Sequence, residues 1–212
     1  LGLDKIKELY EEEFAALANK TFPPIEIPKE EFVPNNLEFE VNDEFNSDPE
    51  FQTWKNRNTC EQKQSGYLNV QIKLALGDIT SNKARIVANI ASNLGGGVIV
   101  NTVNQNMMIP WVKNEALSTF YAELQKIGLH RAGTEEIRDI TCCPGSETCN
   151  LGITASRGLV KHLNEEMENG FPHSKELDHI SIKASGCPNS CGQHHIASIG
   201  FHGGAKKLNG VL

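Results

Sequence analysis

Two cysteine-bearing stretches decide how this chain is read: Thr141-Cys142-Cys143-Pro144-Gly145-Ser146-Glu147-Thr148-Cys149 and Gly186-Cys187-Pro188-Asn189-Ser190-Cys191-Gly192-Gln193-His194-His195. Five residues separate Cys143 from Cys149, three separate Cys187 from Cys191, and 37 lie between the pairs. Four thiolates in two pairs can ligate Zn²⁺ or an iron–sulfur cluster. Structural zinc is usually clamped by knuckles with two to four residues between the cysteines. The wider Cys143–Cys149 loop suits a cubane, whose iron atoms sit at separate corners. Spacing therefore favours a cluster and leaves zinc or unrelated thiols as the alternatives.

Pro144 and Pro188, each directly after a cysteine, stiffen both loops. Gly145, Gly152, Gly186 and Gly192 allow backbone amides to approach sulfur. A helix expected from about Leu151 to Glu168, stopped by Asn169-Gly170 and Pro172, turns the positive end of its dipole toward Cys149. Short strands are expected at Ile137–Thr141, His179–Ala184 and Ile196–Phe201. His194-His195 reads either as a metal pair or as the start of the last strand. Cys60, in an Asn- and Gln-rich stretch, reads as a bystander thiol. Cys142 reads as buried filler, with a stand-in ligand for a damaged cluster as its sharper alternative.

Upstream of the cysteines the pattern is regular. Tyr67–Leu74 alternates as a half-buried strand. Thr80 or Ser81 caps a helix with Ala84, Val87, Ala88, Ala91 and Leu94 on one face, which Gly95-Gly96-Gly97 closes. Val98–Val112 reads as a second strand, broken around Asn104–Asn106. Asn114 opens another helix carrying Leu117, Phe120, Tyr121, Leu124 and Ile127. The result is a β-α-β-α unit with one bare sheet edge, for which a second copy is expected in a longer parent chain. Before it lie an amphipathic helix (1–20) and a proline-punctuated linker (21–60). Trp54 and Trp111 read as core or interface packing before cofactor stacking, and Arg157, Lys183, Lys206 and Lys207 as solvated charges, with contacts to cofactor carboxylates or a partner as the alternative.

The 212 residues (23.4 kDa, 39% hydrophobic, 22% charged) have the make-up of a soluble globular chain and not of a disordered or fibrous one. No apolar run reaches the ~18 residues of a membrane helix, and the first twenty residues carry no secretory pattern. A net charge of -7 and a pI near 5.5 give no basic footprint for nucleic acid. Six cysteines without a signal point to ligands or thiols and away from a disulfide framework. Opening on Leu1 and closing on Asn209-Gly210-Val211-Leu212, the chain reads as a piece of a longer polypeptide.

The paired cysteine stretches resemble the cluster motifs of sirohaem-containing nitrite and sulfite reductases. The unit with Gly66-Tyr67, Leu76-Gly77-Asp78 and Thr102-Val103-Asn104-Gln105-Asn106 is similar to that family's ferredoxin-like half-domain. The resemblance implies an α+β chain: a helix ending the missing preceding half (1–20), a linker (21–60), a ferredoxin-like half-domain (61–130), and an incomplete [4Fe-4S]–sirohaem α/β domain (131–212). It implies that Cys143, Cys149, Cys187 and Cys191 hold the [4Fe-4S] cluster and that Cys191 is also the axial ligand of sirohaem. It further implies six-electron reduction of nitrite to ammonia or sulfite to sulfide in the cytoplasm, fed by ferredoxin or a flavoprotein. The substrate-gripping basic residues belong to the missing first half, so this piece alone is expected to be inactive. Neither nucleic acid nor membrane is an expected partner. The rival readings are a haem-free iron–sulfur electron-transfer module and a zinc-stabilised binding domain.

Overall fold

The computed structural model describes residues 2–25, 44–170 and 175–207. The stretch 26–43 and Pro172, read above as linker and helix stop, and the closing residues 208–212 lie outside the described residues. Two compact units divide the chain, residues 1–32 and 33–212. In the first, helix α1 (Leu3–Leu17) buries no residue, and its apolar stripe of Leu3, Ile6, Leu9, Phe14 and Leu17 is exposed.

The second unit holds everything else. Helix α2 (Pro49–Asn58) starts where Asp48 accepts from the Glu50 N–H at 2.9 Å, with Pro49 in the first turn, where its missing N–H costs nothing. Phe51 and Trp54, three apart and so on one face, are buried. They meet Tyr121 with ring centroids 5.3 and 5.2 Å away. The structure here differs from the expected linker over 21–60: residues 49–58 form a helix that supplies Trp54 and Phe51, two of the largest buried side chains, and Thr59-Cys60 enter a strand.

Strands β1 (Thr59–Glu61), β2 (Tyr67–Ile72), β3 (Val100–Asn101) and β4 (Met107–Lys113) form an antiparallel sheet in the order β1-β2-β4-β3. Helices α3 (Ser81–Leu94) and α4 (Leu117–Lys126) contribute Val87, Ile90, Phe120 and Leu124 to its core, beside Val70, Ile72, Ile109 and Val112. Thr80 caps α3 by accepting from the Lys83 N–H at 3.4 Å, and Gly95 and Gly97 end it by donating to Ala91 O. The strand expected over Val98–Val112, with its break around Asn104–Asn106, is a hairpin of β3 and β4. Thr102 and Asn106 close its turn with a 2.8 Å backbone bond, and Gln105 takes φ +66° at the tip. Pro110 is tolerated inside β4 because the β2–β4 register shifts between Leu68 and Val70, and a proline fits an irregularity that a regular central strand would reject.

The second sheet is parallel, in the order β5 (Thr141–Cys142), β6 (Ile182–Ser185), β7 (Ile199–His202). Helix α5 (Ser156–Gly170) packs Val160 against Cys142, Ile182 and Ala184. It begins five residues later than the sequence reading places it. The intervening backbone is held across loops: Ser146 N–H donates to Thr154 O, and the Ile153 and Thr154 N–H groups to Gly186 O, at 2.8–3.0 Å. The strand expected from Ile196 likewise begins only at Ile199, because His194–Ile196 form a tight 3₁₀ turn. Among the described residues no helix is long and apolar enough to cross a membrane.

The aromatic knot on α2 carries a direct test. Trp54→Ala should cost about 3–5 kcal/mol, the range for a buried tryptophan truncation, read as a lower urea midpoint. Cys60→Ser, at an exposed position, should stay within about 0.5 kcal/mol. An equal loss in both variants would show that α2 is not part of the core.

Candidate metal centre

Parallel sheets present ligands beyond the carboxyl ends of their strands, and that is where the cysteines lie. Cys143 follows β5 directly, and Gly186-Cys187 follows β6. The Cys143 N–H extends the ladder by donating to Ala184 O at 3.1 Å. The Gly186 N–H donates to Cys143 Sγ at 3.1 Å, so the loop of one pair binds the sulfur of the other. Ser156, the first residue of α5, donates its hydroxyl to Cys143 O at 2.8 Å and stands 3.5 Å from the sulfur. The cysteine beside the helix start is therefore Cys143 and not Cys149, since α5 starts late. Cys149 is placed by the 3₁₀ turn Gly145–Glu147, its N–H donating to Gly145 O at 3.0 Å.

The segment carrying Cys191 is pressed onto β6. A Cβ on Gly192 would lie 2.0 Å from Ala184 O and 3.0 Å from Cys143 N, so only glycine lets the chain pass there. Gly186 is equally tight, its hypothetical Cβ falling 2.5 Å from Gly145 Cα. Backbone-to-backbone approach thus gathers Cys143, Cys187 and Cys191 at one end of the sheet. Of the four expected glycine amides, Gly186 supplies the N–H···S bond at 3.1 Å and the Gly145 amide also acts on the Cys143 sulfur, while Gly192 serves close approach.

Accessibility is graded. Cys143 and Cys187 are buried, Cys149 is half-buried and Cys191 is exposed. Burial works to raise the Cys143 thiol, yet donation from Gly186 and Ser156 outweighs it and holds the pKa below its ordinary value. Burial pushes the neighbouring Cys142 thiol up to about 11, with Arg157 opposing the rise. One neighbour is prepared to be a thiolate and the other to stay a thiol. Among the described residues no three His, Cys, Asp or Glu side chains converge closely enough for one ion.

Lys183, read from sequence as a solvated charge, is buried and donates to Asn104, Thr141 and Gln193. Arg157 is an internal tie, reaching Leu76 O at 3.1 Å, Glu147 at 2.9 Å, and Asp78. His194 is buried, with neither ring nitrogen hydrogen-bonded to a described residue. Burial and the neighbouring His195 and His202 hold its pKa below the ordinary histidine value. Sequence reasoning also passes over Gln105, whose side-chain amide donates to Cys142 O at 2.8 Å and accepts from Cys142 N–H at 3.1 Å. A cavity of about 500 Å³ lined in part by Lys73, His130, Arg131, Arg138 and Asp139 lies elsewhere in this unit, and no cysteine borders it.

An antiparallel sheet with two helices is joined to a parallel sheet whose strand ends carry paired thiols. Family models match both parts. Residues 61–127 match the nitrite/sulfite reductase ferredoxin-like half domain, and residues 133–210 match the nitrite and sulphite reductase 4Fe-4S domain. The chain belongs to the nitrite and sulfite reductase family. The chloroplastic ferredoxin–nitrite reductase of Zea mays is 31% identical over 67% of this chain and 25% of its own length. The ferredoxin-type sulfite reductase of Mycobacterium tuberculosis is 28% identical over 68% of this chain and 26% of its own. The solved structure of the NirA protein of Mycobacterium tuberculosis superposes with a TM-score of 0.59 at 25% identity, over 72% of this chain and 28% of that one. The chain thus spans about a quarter of the length of these relatives.

The contrast between adjacent thiols is measurable. At pH 8, in metal-free chain, iodoacetamide should modify exposed Cys60 within minutes and leave Cys142 unmodified until the chain is unfolded. Labelling of Cys142 at the rate of Cys60 would contradict its burial.

Proposed function

We propose that Cys143, Cys149, Cys187 and Cys191 hold a [4Fe-4S] cluster, and that the Cys191 thiolate also ligates the iron of sirohaem. In this reading the chain is the cluster-bearing part of a reductase that takes nitrite to ammonia or sulfite to sulfide. The observation that carries the proposal is the Gly186 N–H···Sγ bond to Cys143, which joins the two cysteine loops at the end of one parallel sheet.

The donor set fits the group. Two buried thiols would place most of an anionic cluster out of water, where backbone N–H groups and the first turn of α5 offset its charge. Exposed Cys191 leaves its sulfur free on the open side, the position that a thiolate shared with a macrocycle requires. When bound, the cluster would pass single electrons to the haem iron through that shared sulfur, with no gap to cross. The chain's own part is to fix the sulfurs: Ser156 and Gly186 orient Cys143, and Gly192 lets the Cys191 segment lie against β6. Ferredoxin or a flavoprotein is the proposed donor. Six free cysteines fit a reducing compartment such as the cytoplasm.

Cys191→Ser in the holoprotein tests this. A hydroxyl is a hard, poorly ionised ligand. Cluster–haem magnetic coupling and turnover should disappear together, whatever iron remains, while Cys142→Ser should keep iron content and optical spectrum. Coupling retained in Cys191→Ser, or cluster lost in Cys142→Ser with Cys143→Ser tolerated, overturns the assignment. A brown shoulder without a Soret band would indicate a haem-free cluster module, and a colourless zinc-loaded protein a zinc domain.

A further inference from the structure

Lys183 sits in the middle strand of the parallel sheet, 6% exposed. Its ammonium donates to Asn104 Oδ1 at 2.8 Å, Gln193 Oε1 at 3.1 Å and Thr141 Oγ1 at 3.3 Å. These three acceptors satisfy the three donors of an ammonium, and all are neutral. Among the described residues no carboxylate lies within ion-pair distance of it. Its hydrogen bonds are complete with neutral partners; burial works against its charge, and Asp139, beyond ion-pair reach, supports it only through space. A buried cation in that state is expensive unless a negative charge stands near.

The surroundings say where that charge would be. Ala184, next in the strand, accepts the Cys143 N–H on its carbonyl, and the same oxygen is the atom that a Cβ on Gly192 would strike. Lys183 is thus one residue from the backbone that fixes both Cys143 and Cys191. Gln193, which receives one of its hydrogen bonds, lies two residues beyond Cys191. Asn104, which receives another, lies in the hairpin turn of the antiparallel sheet. A cluster with four thiolate ligands is a net anion, and each reduction adds negative charge beside this cation.

We propose that Lys183 is a fixed internal cation that raises the reduction potential of the [4Fe-4S] cluster. This rests on the cluster assignment above. The charge is buried, so its effect is not screened away by salt as a surface lysine's would be. Since cluster potentials respond to local net charge, stabilising the reduced form eases electron entry from the donor. The three oxygen partners hold the ammonium in place, and none of them cancels its charge.

Potentiometric titration of the holoprotein, followed by the electron paramagnetic resonance of the reduced cluster, tests this in three variants. Lys183→Met keeps the aliphatic stem and removes the charge; Lys183→Arg keeps the charge; Asn104→Asp keeps the lysine and sets a carboxylate against it. Lys183→Met and Asn104→Asp should both move the midpoint to more negative potential. At a solution potential poised on the wild-type midpoint, the reduced fraction should fall severalfold in both. Lys183→Arg should stay near wild type, and the shifts should persist in 1 M salt. An unchanged midpoint in Asn104→Asp, or a shift in Lys183→Arg as large as in Lys183→Met, overturns the proposal by showing a packing effect or none. If Lys183→Met fails to load cluster, Asn104→Asp decides. Failure of the cluster assignment is a separate outcome: wild-type protein then shows no cluster resonance at any potential, and the tuning role falls with it.

Discussion

The carbonyl of Ala184 is the point on which the site depends. It accepts the Cys143 N–H, which holds the first cysteine loop to the end of β6, and it leaves no room for a side chain on Gly192. One oxygen thus sets the distance between the two cysteine-bearing segments. Any residue larger than glycine at 192 must push the Cys191 segment away from β6, and sulfurs that serve one cluster cannot be displaced independently. The neighbouring contact at Gly186 works in the same sense: its amide reaches a sulfur, its carbonyl takes the Ile153 and Thr154 N–H groups, and its missing side chain lets Gly145 approach.

The two sheets are tied by polar side chains that act as pieces of backbone. Gln105 presents an amide to Cys142 and exchanges two hydrogen bonds with it, as a neighbouring strand would. Asn106 accepts from the Leu74 N–H at 2.9 Å and donates to Asp139 at 2.6 Å, and Asn58 joins Gln71, Arg131 and Gly133. Buried amides of this kind are costly when half satisfied and rigid when complete. The turn at Thr102–Asn106 thereby becomes the joint between the antiparallel sheet and the cysteine-bearing one. Electrons delivered from outside would meet a framework in which sheet, turn and cysteine loop move together.

Much of this was legible in the chain because the signals are local. Cysteine spacing, the Thr80 cap, the Gly95–Gly97 stop and the alternation of Tyr67–Leu74 each depend on residues close in sequence. The misreadings share the opposite property. Residues 151–155 look helical, but the Ile153 and Thr154 N–H groups donate to Gly186 O, far along the chain. Pro49 looks like punctuation, whereas behind Asp48 and ahead of Phe51 and Trp54 it is a helix start. Here a local signal was present, and the Asp-Pro-Glu order carries it. Lys183 looks like an exposed charge because periodicity alone does not show that β6 becomes the middle strand of its sheet, with all four residues buried.

The same burial that hides Lys183 explains why adjacent Cys142 and Cys143 differ so sharply. Cys142 is the last residue of β5 and points into the apolar face under α5, where only a neutral thiol is tolerated. Cys143 is one step further, so its side chain leaves that face and meets the Gly186 N–H, with the Ser156 hydroxyl 3.5 Å away. Strand alternation, with its period of two, therefore separates an inert thiol from a sulfur prepared to carry charge. In β6 the same alternation puts Ile182 and Ala184 under α5 and turns Lys183 to the other side, toward Asn104 and Gln193. A buried lysine, a thiol whose pKa is lowered and a buried thiol whose pKa is raised are sorted by strand geometry alone, and a one-residue slip of either strand would exchange their environments.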